Sequence, residues 1–124
     1  MKYYIIAGEA SGDLHGSNLI KQLQLKDASA QIQCWGGDLM KGAGATLVKH
    51  YRELAFMGFS EVIKNLPTIL GNLSFCKKDI SAFQPDVLIC DMQSGNMGGV
   101  AVCIDARMEA EEDRSPDVAI ILLL

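Results

Sequence analysis

Residues 2–16 read KYYIIAGEASGDLHG, and the change of character at Gly8 decides the fold class. Lys2 to Ala7 is a short aromatic and β-branched run, the composition of a buried strand. Gly8 ends it. From Ser11 the pattern turns helical, with Leu14, Leu19, Ile20 and Leu23 expected along one face. Ser11 or Asp13 can cap that helix, because a short side-chain oxygen accepts from a free amide two or three residues on.

Working outward, Ile32 to Trp35 reads as a second strand, followed by the turn pair Gly36-Gly37 and a small helical patch at Leu39 and Met40. Thr46 to Val48 reads as a third, minor strand. The apolar residues from Phe56 to Phe75 recur at helical spacing, and Pro67 divides them by opening a second helix at its first turn. Pro85-Asp86 then introduces Val87 to Cys90, an apolar run of the kind found in parallel strands covered on both faces. This alternation predicts an α/β fold: a Rossmann-like, doubly wound, mostly parallel sheet with right-handed crossovers. Beyond Asp91 the pattern gives a polar glycine-rich turn at 93–99, a strand candidate at 100–104, a charged helix or loop at 105–113 and an apolar run at 118–124. Left unpaired, that last run is an aggregation-prone edge.

The 124 residues hold one core, and the 49% hydrophobic content is enough to bury it. A net charge of -4 and a pI near 5.0 disfavour nucleic acid, which needs a basic surplus on one face. The excess is local. Acidic and basic residues balance over 1–91, whereas 92–124 sets Arg107 and Arg114 against Asp105, Glu109, Glu111, Glu112, Asp113 and Asp117. The division expected from this break is a domain over 1–91 and an acidic tail over 92–124. Cys34, Cys76, Cys90 and Cys103 form no CxxC pair and read as reduced, buried thiols. No leader peptide or membrane span is expected from the pattern.

The turn from Gly8 to Gly16 is the most informative place for chemistry, because ligands of open α/β sheets gather at the carboxyl ends of the strands. Gly8 and Gly12 let backbone approach a ligand, and the helix N-terminus favours negative charge. The glycines at 8, 12 and 16 match neither GxGxxG nor GxxxxGK[ST], so no cofactor is implied. Glu9, Asp13 and His15 offer a general base, or serve simply as first-turn residues of a helix. His15 and His50 lack metal-ligand spacing, and no metal is expected. The stripe over 56–75, with Met57, Phe59, Leu66, Ile69, Leu70 and Leu73, is either a core face or an apolar surface meeting lipid or a partner. Lys64, Lys77 and Lys78 stand beside it for anionic headgroups.

AGEASGDLHGSNLI at 7–20, CWGGDLMKGAG at 34–44 and YRELAFMGFSEVIKNLPTIL at 51–70, in that order, resemble the amino-terminal part of the lipid-A-disaccharide synthases. The resemblance runs from Met1 to about Ile89. It implies the amino-terminal half of a two-domain GT-B glycosyltransferase, cytoplasmic and peripheral at the inner membrane. Such an enzyme joins UDP-2,3-diacylglucosamine to 2,3-diacylglucosamine 1-phosphate, releasing UDP, with no metal or other cofactor. An inverting transfer needs a base for the acceptor hydroxyl and groups that stabilise the departing UDP. By resemblance, Gly8, Ser11, Gly12 and Asp13 bind substrate at the inter-domain cleft, Glu9 and Asp91 are the catalytic carboxylates, and the apolar stripe contacts membrane and acyl chains.

Two departures stand beside the match. Pro85-Asp86-Val87-Leu88-Ile89-Cys90-Asp91 carries its second carboxylate one residue earlier than the family pattern, and one residue reverses the face of a strand. Residues 92–124 resemble nothing in the family, and its UDP-binding second domain is absent from the sequence. The expectation is a fragment that binds the acylated acceptor and engages a UDP-sugar donor only if the missing domain is supplied. The alternative is a non-enzymatic lipid- or partner-binding module.

Overall fold

Along β1 (Lys2–Ile6) successive side chains serve two different cores, as the two-residue period of a strand dictates. Tyr3 and Ile5, continued by Ala7, meet Ile20, Ile32, Cys34, Met40, Val87 and Ile89 on one face. Tyr4 and Ile6 meet Trp35, Cys76, Leu88 and Cys90 on the other. Each fully buried Ile, Leu, Val or Met side chain among them contributes about 1.5–3 kcal/mol. In the computed structural model the described residues are 1–54, 64, 66–91 and 119–123, with backbone alone for 54, 66, 69, 73, 91 and 119–123.

The elements after β1 are α1 (Ala10–Lys26), β2 (Gln31–Gly36), α2 (Asp38–Gly42), β3 (Thr46–His50), a 3-10 turn (Tyr51–Leu54), α3 (Leu66–Phe83), β4 (Val87–Asp91) and β5 (Ala119–Leu123). The strands lie in the order β3-β2-β1-β4-β5, and every pairing is parallel. Ile20 of α1 and Met40 of α2 belong to one core cluster and Cys76 of α3 to the other, so helices cover both faces. The expected doubly wound α/β architecture is present. The chain reverses its winding between β1 and β4, the position at which open α/β sheets form a ligand crevice.

Several local expectations are met for the stated reasons. Pro67 sits in the first turn of α3, where its missing amide costs no helical bond. The apolar run at 87–90 is buried throughout, and Cys34, Cys76 and Cys90 are buried as expected. The run at 118–124 supplies β5, whose residues 119–123 pair with β4 from Val87 to Asp91. It is a paired strand. The strand candidate at 100–104, the charged segment at 105–113, Cys103 and the first part of the 56–75 stripe lie outside the described residues.

Two expectations need correction. Leu14 is not on the inner face of α1; it is 49% exposed, and the buried face is made of Gly12, Asp13, Gly16, Ser17 and Ile20. A helix turns 100° per residue, so a five-residue step from Leu14 to Leu19 leaves the stripe, whereas 13, 16, 17 and 20 share it. Small residues win there because α2 packs close. A Cβ on Gly16 would stand 2.7 Å from Met40 Sδ. The second correction concerns capping. The helix begins at Ala10 with Glu9 as N-cap and no side-chain cap bond, so neither Ser11 nor Asp13 caps α1.

Candidate functional site

The parallel register brings the carboxyl ends of the strands to one edge, with Ile6 level with both Trp35 and Cys90, Gly36 level with His50, and Asp91 level with Leu123. Gly8-Glu9, Gly37-Asp38 and His50-Tyr51 leave β1, β2 and β3 at this edge, and Asp91 ends β4 there. Glu9 is half-buried at the N-cap of α1, in extended backbone. The exposed Ser11 hydroxyl donates to Glu9 Oε1 at 2.9 Å, which fixes one carboxylate oxygen. Gly8 and Gly12 are buried in the turn.

Asp13 occupies a different environment. Its side chain is 4% exposed, with Oδ1 accepting from the Gly37 amide at 2.8 Å and from Met40 at 3.0 Å, and Oδ2 accepting from Leu39 at 3.2 Å. Asp13 therefore caps α2, a helix 25 residues away in sequence, through charge-assisted bonds to its free first-turn amides. Sequence reasoning identified a capping aspartate and assigned it to the wrong helix. The negative charge is felt by Cys34, whose thiol is pushed up to about 12, first by burial and then by Asp13. Gly37 has no room for a side chain, because a Cβ would lie 2.6 Å from Asp13 Oδ2 and 2.5 Å from Tyr51 Cε1.

Asp38 and His50 were missed from sequence. His50 Nε2 lies 3.5 Å from Asp38 Oδ1, with Asp38 81% exposed and His50 20%. His50 Nδ1 accepts from the Arg52 amide at 3.2 Å, which leaves the imidazole proton on Nε2, toward Asp38. The ring lies 4.5 Å from that of Tyr51, and the His50 amide donates to Glu53 Oε2 at 3.1 Å. A register shift between Cys34 and Trp35 places Leu47 on the α1 side but both Val48 and Lys49 on the α3 side. His50 is thereby returned to α2, a re-aiming typical of bulges. No residue pattern in Thr46–His50 signals it.

On the α3 face, Tyr4 OH donates to Asp79 Oδ2 at 2.6 Å, and the phenol is raised well above its usual range by burial, then by Cys76 and Asp79. Trp35 Nε1 lies close enough to the phenol to oppose that rise, yet neither it nor Gln33 Oε1 reaches hydrogen-bond geometry with any group among the described residues. Of the stripe, Leu70 is 57% exposed, and Phe75 is exposed with Lys49 Nζ 5.5 Å from its ring centre. Leu66, Ile69 and Leu73 lie in α3 without described side chains; Met57 and Phe59 lie outside the described residues. The same holds for the Asp91 side chain. Among the described residues no helix is long and apolar enough to cross a membrane.

With this edge in place, comparison with known proteins is decisive. The sequence profile of the lipid-A-disaccharide synthetase family matches residues 3–100. The chain belongs to that family. The lipid-A-disaccharide synthase of Xanthomonas oryzae pv. oryzae (strain MAFF 311018) is 43% identical over 88 residues, 71% of this chain and 20% of the relative. The enzyme of Xylella fastidiosa (strain M23) is 49% identical over 86 residues, 68% of this chain and 22% of the relative. That of Xanthomonas euvesicatoria pv. vesicatoria (strain 85-10) is 44% identical over 85 residues, 68% and 19% respectively. The chain thus spans about a fifth of the length of the curated relatives it matches. One boundary moves: the synthetase profile extends to residue 100, past Ile89 and past the change in charge at 91, so part of the segment 92–124 does resemble the family.

Proposed function

We propose that this chain provides part of the amino-terminal, acceptor-binding domain of a lipid-A-disaccharide synthase of GT-B architecture. The observation that supports it most is the convergence of the Gly8–Asp13 turn with the ends of β2, β3 and β4 at the winding reversal, inside the segment matched to the family. The reaction is transfer of 2,3-diacylglucosamine from UDP to the 6-hydroxyl of 2,3-diacylglucosamine 1-phosphate, giving a β-1,6 linkage and UDP. It takes place on the cytoplasmic side of the inner membrane.

Within this part, Glu9 is the described carboxylate placed to act as a base. Ser11 occupies Oε1, leaving Oε2 for an acceptor hydroxyl. Asp91 is the second carboxylate at the edge, one strand away. The phosphate of the acceptor faces the amides at the start of α1, where partial positive charge favours an anion. Leu70 and Phe75 provide apolar surface for acyl chains, with Lys49 and Lys78 beside them for anionic headgroups.

The test is titration of the purified chain with 2,3-diacylglucosamine 1-phosphate in detergent micelles, followed by NMR at Glu9 and Ser11, with UDP release assayed in parallel. Saturable shifts at Glu9 and Ser11 without UDP release are expected. UDP release by the chain alone would overturn its restriction to acceptor binding. Binding to liposomes with no shift at Glu9 or Ser11 on addition of the sugar lipid favours the non-enzymatic module instead.

A further inference from the structure

The family resemblance places Asp13 against substrate, and the geometry places it elsewhere. Its carboxylate is buried, both oxygens are engaged, and all three donors are backbone amides at the start of α2. The next groups outward are Asp38, the first residue of that helix, and His50, which Asp38 meets at 3.5 Å. His50 is in turn held by the Arg52 amide and lies against the tilted ring of Tyr51, which bounds the space at Gly37. A continuous set of contacts therefore runs from the first turn of α1 to the exit of β3.

We infer that Asp13 is a positioning residue: by capping α2 it sets where Asp38 and His50 stand at the ligand edge, and it does not itself contact ligand. The inference rests on the reading of this edge as the acceptor site. Three features make the role specific. The bond set is charge-assisted and hence directional. Gly37 has no Cβ that would push the carboxylate away. The bulge at Cys34/Trp35 turns His50 toward α2, without which Asp38 would have no partner across the turn.

Through-hydrogen-bond couplings between Asp13 Cγ and the amide nitrogens of Gly37, Leu39 and Met40 test the first link in the unaltered chain. They are expected, and their absence at all three overturns the inference. The second link is tested with Asp13→Asn, which keeps the shape and loses the charge and one acceptor. The three amides are expected to exchange about tenfold faster, the equivalent of one ordinary hydrogen bond. The 15N shifts of the His50 imidazole move, while those of His15, exposed on the same helix as Asp13, do not. An unmoved His50 reduces Asp13 to a purely structural cap and defeats the proposal. Should Asp13→Asn fail to fold, Leu39→Pro removes one donor at an exposed first-turn position and is expected to move His50 as well. Finally, 2,3-diacylglucosamine 1-phosphate is expected to shift Glu9, Ser11 and His50 while the Asp13 couplings persist. Their loss on binding would mean that Asp13 contacts ligand. If no residue shifts, the acceptor-site reading fails, while the couplings still decide whether Asp13 holds α2.

Discussion

The two faces of the sheet are filled by opposite strategies. On the α1 side the helix offers Gly12, Gly16 and Ser17, α2 packs Met40 into the space they leave, and the buried carboxylate of Asp13 has a partner for each oxygen. On the α3 side the filling is aromatic and looser in its polar accounting. Trp35 Nε1 and Gln33 Oε1 have no hydrogen-bond partner among the described residues, and Leu70 and Phe75 remain exposed. Close approach and satisfied polar groups make a rigid wall, which suits a face that would carry the proposed acceptor site. Exposed apolar side chains on the opposite face suit a surface that meets another apolar phase.

Substitutions on each face can break this contrast. The largest effect is expected from Gly37→Ala, whose methyl group meets both the Asp13 carboxylate and the Tyr51 ring. A loss of about 3 kcal/mol, read from urea unfolding, follows from overpacking together with displacement of a buried charge. A loss under about 0.5 kcal/mol would show that the α1 side yields as readily as the other and would end the contrast.

Alkaline titration sharpens the comparison. The Cys34 thiol ionises near 9.0 when unfolded and near 12 in the folded chain, with burial the first cause and Asp13 the second. Between those values the unfolded chain has released a proton that the native chain keeps, so stability falls as pH rises from about 9 through about 12. Cys34→Ala should flatten that fall, and Asp13→Asn should begin to release the thiol proton at lower pH. Both are read from thiolate absorbance and from urea midpoints at each pH. An unchanged slope in Cys34→Ala would assign the alkaline loss to Tyr4 instead, whose phenol is raised as well.

Smaller effects test the α3 side. Tyr4→Phe removes the part-buried bond to Asp79 and is expected to cost about 1.5–2 kcal/mol in chemical denaturation, the low end of the range for a hydrogen bond to a charged group. The smallest stability change, within about 0.5 kcal/mol, is expected for Leu70→Glu, because the side chain is already in solvent. The same substitution should nonetheless abolish sedimentation with anionic liposomes. Retained sedimentation would remove α3 from the proposed membrane contact.

Much of this architecture was legible because its causes are local. The β-branched run before Gly8, the apolar run behind Pro85-Asp86 and the proline at the head of α3 each announce an element within a few residues. The carboxyl edge of the sheet was legible in outline, since a strand running through glycines into a helix marks a strand end. Leu14 was misplaced because composition suggested a leucine stripe where the helix needed small residues against α2. His50 was passed over because its relation to Asp38 depends on a one-residue shift between paired strands, which no side chain within β3 encodes.

The sequence by itself determined the alternation of strands and helices, the buried thiols and the family to which the chain belongs, since each follows from periodicity, composition or ordered motifs. Only the tertiary structure decided what Asp13 does. Its three partners lie 24 to 27 residues along the chain, and an acceptor's choice among amides is made by distance and burial after the sheet has assembled.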